Sequence, residues 1–322
     1  MQPHAKEAAA ADRLALRLRR MAWEADGVLS LEFVAPDSSA LPAFEPGAHV
    51  DLHMPDGQVR QYSLCGDPAD RSTYRVAVRA VEGGRASGAI LRDLRPGALM
   101  AVGLPRNAFA FEASPNYLFV AGGIGITPLL PMMRQATRAG AAWRLLFCTR
   151  RAAGAPFLAE ARALGGEVTL HASELGARLD AAARLAAVPP ETMLYCCGPE
   201  ALMAAVEVAT RHWPAGAVRF EWFAPRSRPE GEVAGAFEVH CARSGVSLAV
   251  PPARSVLDAL SDAGITVARS CEQGICGTCE CRVLEGEVDH RDSILSATEQ
   301  AANQVMMPCV SRARSARLVL DL

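Results

Sequence analysis

Arg269-Ser270-Cys271-Glu272-Gln273-Gly274-Ile275-Cys276-Gly277-Thr278-Cys279 sets three cysteines at the spacing C-x4-C-x2-C, and Cys309 follows thirty residues later. This is the plant-type spacing for a [2Fe–2S] cluster: two irons need four thiolates, three from one wrapped loop and the fourth from a remote segment. Cys271, Cys276, Cys279 and Cys309 are therefore the expected metal ligands. Gly274 and Gly277 let backbone N–H groups approach the sulfurs, which helps set the potential. A structural zinc site is commonly built from two close cysteine pairs, and only Cys276 and Cys279 form one here. The apolar run Val305-Met306-Met307-Pro308 leads into Cys309, while the neighbouring Cys281 reads as a buried structural thiol.

Outward from this loop, residues 237–322 read as a compact last unit, and 226–236, rich in Pro, Gly, Ser and charge, as a linker. Residues from about 113 to 225 alternate short apolar strands with helical stretches. The strands are Tyr117–Ala121, Trp143–Cys148, Val168–His171 and Met193–Cys197; the helices are Pro128–Ala139, an alanine-rich one reaching about Ala187, and Glu200–Arg211. Such alternation predicts a parallel sheet with helices on both faces. Residues up to about 108 are β-rich: Leu14, Leu16 and Leu18 alternate with polar residues, and strands follow at Val28–Phe33, Val50–Met54, Arg60–Leu64 and Tyr74–Val81. Pro46-Gly47, Asp56-Gly57 and Pro96-Gly97 punctuate them, as in a barrel or sandwich.

With 322 residues the chain is long enough for two or three domains. Half the residues are hydrophobic and 21% charged, as in a soluble globular protein. A net charge of −2 argues against a nucleic-acid partner. The mixed charge of residues 1–20 is unlike a signal peptide, and no run of apolar residues is long enough to span a membrane, so a cytoplasmic location is expected. Four of the ten cysteines fall in one metal-binding pattern, which does not read as a disulfide framework.

Two motifs suit a nucleotide. Strand Leu118–Ala121 runs into Gly122-Gly123-Ile124-Gly125-Ile126-Thr127-Pro128, whose glycines permit a tight turn and close approach to a pyrophosphate. Thr127 is placed to cap the next helix and Pro128 suits its first turn. The loop is not the G-x-G-x-x-G fingerprint, because Thr127-Pro128 occupies its end. Tyr195-Cys196-Cys197-Gly198-Pro199-Glu200 closes a later strand and opens another helix. Ligands bind at strand C-termini in open α/β sheets, and both motifs lie at such ends. A third motif, Arg60-Gln61-Tyr62-Ser63-Leu64, places Arg60 and Tyr62 on one strand face, which suits a phosphate and a ring system. An ordinary strand surface is the competing reading for those residues alone.

The order of Arg-x-Tyr-Ser, Gly-Gly-Ile-Gly-Ile-Thr-Pro, Cys-Gly-Pro and a C-terminal plant-type cluster resembles the phthalate dioxygenase reductase family, the reductase components of two-component Rieske oxygenases. The resemblance covers nearly the whole chain, including Leu104–Asn107, His212–Pro214, Asp289–Asp292 and Cys309–Arg312. It implies an antiparallel β-barrel flavin (FMN) domain over 1–110, an α/β parallel-sheet NAD(P)H domain over 111–225, and, after the 226–236 linker, an α+β plant-type ferredoxin domain over 237–322. It also implies that Arg60 holds the FMN phosphate, that Tyr62, Ser63 and Leu64 line the flavin, and that Ser87, in the loop Gly83–Ser87, donates a hydroxyl. That loop departs from the family's more glycine-rich form at Ala86. Gly122, Gly123, Gly125, Thr127, Pro128, Gly198 and Pro199 would bind the nucleotide, and Ser63, Cys197 and Phe223 would stand at the reacting rings.

The chemistry implied is electron transfer. NAD(P)H supplies two electrons as hydride, an iron-sulfur partner takes one at a time, and a flavin bridges the two. Plant-type clusters lie near about −400 mV and Rieske centres roughly between −150 and +300 mV, so delivery to a Rieske oxygenase is downhill. No protein acid, base or nucleophile is required. The family leans to NADH, yet Thr149-Arg150-Arg151 stands where an acid would favour it, so NADPH use is also expected. A monomer docking onto an oxygenase of aromatic catabolism completes the expectation. Residues 237–322 hold eight arginines and eleven acids, a net of −3 that suits a basic docking face.

Overall fold

The leucine alternation from Leu14 begins a 13-residue strand, β1 (Arg13–Ala25), in the computed structural model, which describes residues 13–54, 56–80, 85–227 and 235–322. β1 runs past Leu18 because it serves two neighbours. Its first half pairs antiparallel with β6 (Leu99–Gly103) and its second half with β2 (Val28–Val34), with a register shift between Leu18 and Arg20. An irregularity of this kind bends the strand and increases its twist. β3 (His49–His53), β4 (Val59–Ser63) and β5 (Tyr74–Arg79) complete the order β4-β3-β6-β1-β2-β5. The end strands β4 and β5 touch, which curls the sheet into a barrel around Leu18, Leu31, Phe33, Leu52 and Val76. Two elements here were not expected from sequence: β6 and the helix α1 (Arg85–Asp93). Val81, Gly83 and Gly84 lie outside the described residues.

The second sheet is parallel throughout. Its strands are β7 (Asn116–Gly122), β8 (Ala142–Thr149), β9 (Glu167–Ala172), β10 (Thr192–Cys197) and β11 (Val218–Glu221), in the order β11-β10-β7-β8-β9. α2 (Leu129–Arg138), α3 (Leu158–Ala163), α4 (Ala181–Arg184) and α5 (Glu200–Ala209) connect them. Chain order reverses beside β7, so the crevice between the ends of β7 and β10 is a topological switch point. The alanine-rich segment does not form the long helix expected up to Ala187. Gly176 turns the chain at φ 71° after a single 3-10 turn, and only α4 follows, its first turn capped by the Asp180 carboxylate accepting from Ala183 N–H.

Barrel and parallel sheet share one core. Ala25, Val28, Cys65 and Ala77 from the barrel cluster with Phe109, Phe119 and Met132. Arg75 pairs with Glu160 at 2.6 Å, Arg134 meets the same carboxylate, and Arg138 pairs with Asp67. The two therefore form one compact unit that ends at Glu221, and a second unit begins at Trp222.

In the second unit the sheet order is β13 (Val246–Val250), β12 (Phe237–Cys241), β18 (Arg317–Leu320), β14 (Cys281–Glu285), β16 (Val305–Met306), and a small ladder joins β15 (Val288–Asp289) to β17 (Arg312–Ala313). α6 (Val256–Asp262) packs its Val256 and Leu260 against Val239 and Leu318. Ser255 caps α6, and a Ser296–Glu299 capping box starts α7 (Ala297–Ala302). Most of the expected linker, 228–234, lies outside the described residues.

Candidate cofactor and nucleotide sites

The cysteine loop runs between α6 and β14, and the strand-to-strand return after β16 brings Cys309 to it. Cys279 and Cys309 pack with Leu257, Met307 and Val310. Gly274 adopts φ 69°, and a Cβ there would stand 2.5 Å from Val310 Cγ2, so only glycine fits this turn. Its N–H points to the Cys309 sulfur, while Gln273 N–H donates to Cys271 Sγ at 3.3 Å.

The four thiols form two adjacent pairs. Cys271 lies beside Cys276, and Cys279 beside Cys309. Within each pair the proximity of the second sulfur lowers one thiol, Cys276 or Cys279, and raises its neighbour, Cys271 or Cys309. Among the described residues no three His, Cys, Asp or Glu side chains converge as a single-ion site. Two neighbouring thiol pairs are instead what a two-iron cluster requires, one pair for each iron. Cys281 stands apart: its thiol is buried, donates to Cys279 O at 3.4 Å and is pushed up to about 12 by burial.

At the switch point the two glycine motifs meet backbone to backbone. A Cβ on Gly125 would lie 2.3 Å from Cys197 O, and one on Gly122 would lie 2.4 Å from Pro199 Cδ and 3.0 Å from Gly198 Cα. Gly122 and Gly125 are therefore required by this close backbone approach, beside the pyrophosphate contact expected of them. Thr127 does not cap α2. It is buried, and its hydroxyl donates to Ile124 O at 2.9 Å, closing the 3-10 turn Gly123–Ile126; the N-cap position is Pro128, without a side-chain bond. A cavity of ≈ 460 Å³ opens beside this contact, lined by Gly122, Gly123 and Pro199 together with Arg79 and the end of β8. Gly125 and Gly198 lie in the backbone contact between the two loops beside this cavity.

Cys197 is fully buried, its thiol pushed well up by burial and by the Glu221 carboxyl beside it. Its neighbour Cys196 faces the other way, toward Met203 Sδ at 3.6 Å. Glu221 was not singled out in the sequence. It pairs in register with Cys197 at the end of β11, its Oε2 is enclosed with no hydrogen-bond partner among the described residues, and burial pushes its carboxyl up to about 8. The signal available was a lone acid between Phe220 and Trp222 at the end of a short strand.

On the barrel, Arg60 and Tyr62 share a face of β4, opposite Leu52 and Val50. The Arg60 guanidinium is exposed and folds back to Val59 O and Gln58 Oε1 at 2.8 and 3.1 Å. Tyr62 is half-buried against the barrel core, and burial raises its phenol. Ser63 is buried. Leu64 departs from the expected flavin lining: its side chain is wholly in the barrel core and its N–H donates to Ala48 O at 2.8 Å, so neither faces a ligand. Ser87 lies in the first turn of α1, a helix where a loop was expected, and is half-buried. Beneath the expected family stretch Leu104–Asn107, Asp51 accepts from Arg106 at 2.7 Å and from Gln61 at 2.9 Å, and His49 is enclosed beside them with its imidazole lowered to about 4 by burial and by Arg106. Phe223 belongs to the second unit and is 41% exposed.

A β-barrel joined to a switch-point nucleotide sheet, with a separate unit carrying two thiol pairs, defines a flavin- and pyridine-nucleotide-type reductase fused to a ferredoxin module. Residues 239–314 match the family model of the 2Fe-2S iron-sulfur cluster binding domain. The chain is 42% identical over 312 residues to phenoxybenzoate dioxygenase subunit beta of Ectopseudomonas oleovorans, covering 96% of this chain and 97% of that protein. It matches the solved structure of phthalate dioxygenase reductase, described as a modular structure for electron transfer from pyridine nucleotides to [2Fe–2S], at 37% identity and TM-score 0.69, over 98% and 99% of the two chains. It also matches an intact type IV self-sufficient cytochrome P450 monooxygenase at 37% identity and TM-score 0.89, over 96% of this chain and 41% of that longer one. The chain belongs to the phthalate dioxygenase reductase family. Among the described residues no helix is long and apolar enough to cross a membrane.

Proposed function

We propose that the chain passes electrons from NAD(P)H through FMN and a [2Fe–2S] cluster to a separate Rieske-type oxygenase, of the aromatic-ring dioxygenase or O-/N-demethylase type. The observation that carries this reading is the joining, in one chain, of the Arg60–Ser63 barrel edge, the switch-point cavity and the two thiol pairs. Full-length similarity to reductases of oxygenase systems supports it. When bound, flavin and cluster together turn a two-electron donor into a one-electron supply.

The chain's own residues bind and position. Arg60 and Ser87 hold the flavin phosphate, Tyr62 and Ser63 line its ring, and Phe223 is the aromatic assigned to the nicotinamide side. Gly122, Gly123 and Pro199 leave backbone open to the dinucleotide, while Gly125, Thr127, Pro128, Cys197 and Gly198 hold that surface in place. Cys271 with Cys276 and Cys279 with Cys309 hold the irons. We place the protein in the cytoplasm, as a monomer without nucleic-acid or membrane contacts, and its docking partner in aromatic catabolism. The domains run 1–110, 111–225 and 237–322 around the 226–236 linker.

An anaerobic NADH titration followed by absorbance and EPR, with cofactor extraction, tests this reading. A yellow-brown protein bleached by NADH, releasing FMN and showing a rhombic EPR signal when reduced, is expected. Lack of that signal would sink the cluster assignment, and a colourless protein inert to NADH would indicate a zinc-stabilised binding module. A second reading, delivery to a cytochrome P450 haem, is favoured by the fit to the self-sufficient P450. Reoxidation by a Rieske oxygenase but not by a P450 separates the two.

A further inference from the structure

The switch-point cavity is not uniform in charge. Arg79, Arg150 and Arg151 line it against one carboxylate, Asp26. Arg79 is next to the glycine turn: its Nη1 stands 3.9 Å from where a Cβ on Gly123 would be. Arg150 and Arg151 lie one strand further out, directly after β8. In a sheet of this topology the end of the strand beside the glycine-loop strand meets the adenosine ribose. An acid there accepts from the ribose 2′-hydroxyl, and an arginine accommodates a 2′-phosphate.

From Cys148 to Ala152 this strand end contains no acid. Two carboxylates of this region pair with Arg151. Asp26 lies 3.5 Å from Arg151 Nη1, and Glu174 lies 3.9 Å from Arg151 Nε while accepting from Ala152 N–H at 2.8 Å. Among the described residues no carboxylate pairs with Arg150, whose side chain is exposed. Its backbone is nonetheless pinned, because Glu174 N–H donates to Arg150 O at 3.0 Å. Here an exposed guanidinium without an acidic partner extends from a fixed backbone, beside a second guanidinium oriented by two acids. That arrangement suits a dianionic phosphate, for which a forked donor matches the oxygen geometry.

We infer that Arg150 and Arg151 form a 2′-phosphate subsite, so that the protein accepts NADPH as well as NADH. The inference rests on the reading of this cavity as the pyridine-nucleotide site. Arg150 is the specificity-determining residue, and Arg151, already paired, orients the loop and adds charge.

Calorimetric titration of the holoprotein with 2′,5′-ADP and with 5′-AMP tests the subsite without turnover. The 2′-phosphorylated probe is expected to bind at least about tenfold tighter, a difference of about 1.4 kcal/mol. Arg150→Gln is expected to remove most of that preference, and Arg150→Glu to reverse it. The ratio of kcat/KM for NADPH to that for NADH is expected to fall by a similar factor in Arg150→Gln and further in Arg150→Glu. Equal binding of the two probes, or an NADPH-to-NADH ratio below about one-hundredth in the unaltered protein, overturns the inference. If NADH itself fails to reduce the protein, the functional reading fails; the 2′,5′-ADP titration still decides the subsite separately.

Discussion

Replacing Glu221 by glutamine should make the first unit more stable at alkaline pH and flatten its pH dependence. The Glu221 carboxyl sits at the end of β11 with Oε2 enclosed and unpartnered, and burial pushes it from 4.5 to about 8. The folded protein therefore retains a proton that the unfolded chain has lost between those pH values. Stability then falls as pH rises through that window, and the loss is complete above the folded-state value. At about 1.4 kcal/mol per pH unit, the whole window costs at most ~5 kcal/mol, of which ~3 falls between pH 6 and pH 9. Glutamine has nearly the same shape and no charge to bury. Urea unfolding of the holoprotein at pH 6 and pH 9, followed by tryptophan fluorescence, reads the effect. The unaltered protein should lose more stability than Glu221→Gln between the two pH values. Titrating groups that do not interact with Glu221 are common to both proteins and cancel in the difference; the Cys197 thiol, which does, stays protonated across this range because it is raised well above its usual value. Identical pH dependence in the two would refute the assignment of a protonated buried carboxyl.

Cys309→Ser should abolish the rhombic EPR signal, whereas Cys281→Ala should retain it, because Cys281 packs on Cys279 O and is outside both thiol pairs. Loss of the signal in Cys281→Ala would move that residue into the ligand set. Gly125→Ala should destabilise the first unit by roughly 1–3 kcal/mol and weaken nucleotide binding, since its Cβ would lie 2.3 Å from a backbone oxygen that cannot step aside. Thermal unfolding with a parallel NADH titration checks it, and an unperturbed variant would show that the two loops separate in solution. His49, lowered to about 4, should stay neutral at pH 5.5 in an NMR titration. The unfolded chain binds that proton first, so His49 costs stability only as pH falls from about 6.5 toward 4. An imidazole titrating near 6.5 would contradict its enclosure.

The elements legible in the sequence were those whose signal is local. The β2, β3 and β4 strands carry short apolar runs bounded by turn residues, and the β7 and β10 strands end in glycine motifs. β6 was missed because its strand character comes from pairing with β1 and β3, nearly fifty or more residues away. β11 has only four half-buried residues and is held at a sheet edge by β10. The alanine-rich stretch after β9 misled in the other direction: high helix propensity failed where Gly176 adopts a positive φ.

The sequence alone pointed to Cys271, Cys276, Cys279 and Cys309 as the cluster ligands we propose, because a two-iron site demands four thiolates and the C-x4-C-x2-C spacing with a distant fourth cysteine offers them. It also determined the order of sheets, since hydrophobic period and turn residues are written locally. Tertiary structure alone decided what the glycines are for. Gly122 and Gly125 are needed by the approach of β10 to the loop after β7, a contact between segments some seventy residues apart. It alone made a core residue of Leu64 and enclosed the carboxyl end of the half-buried Glu221. Burial is set by what the rest of the chain brings to a position, and no local pattern contains that.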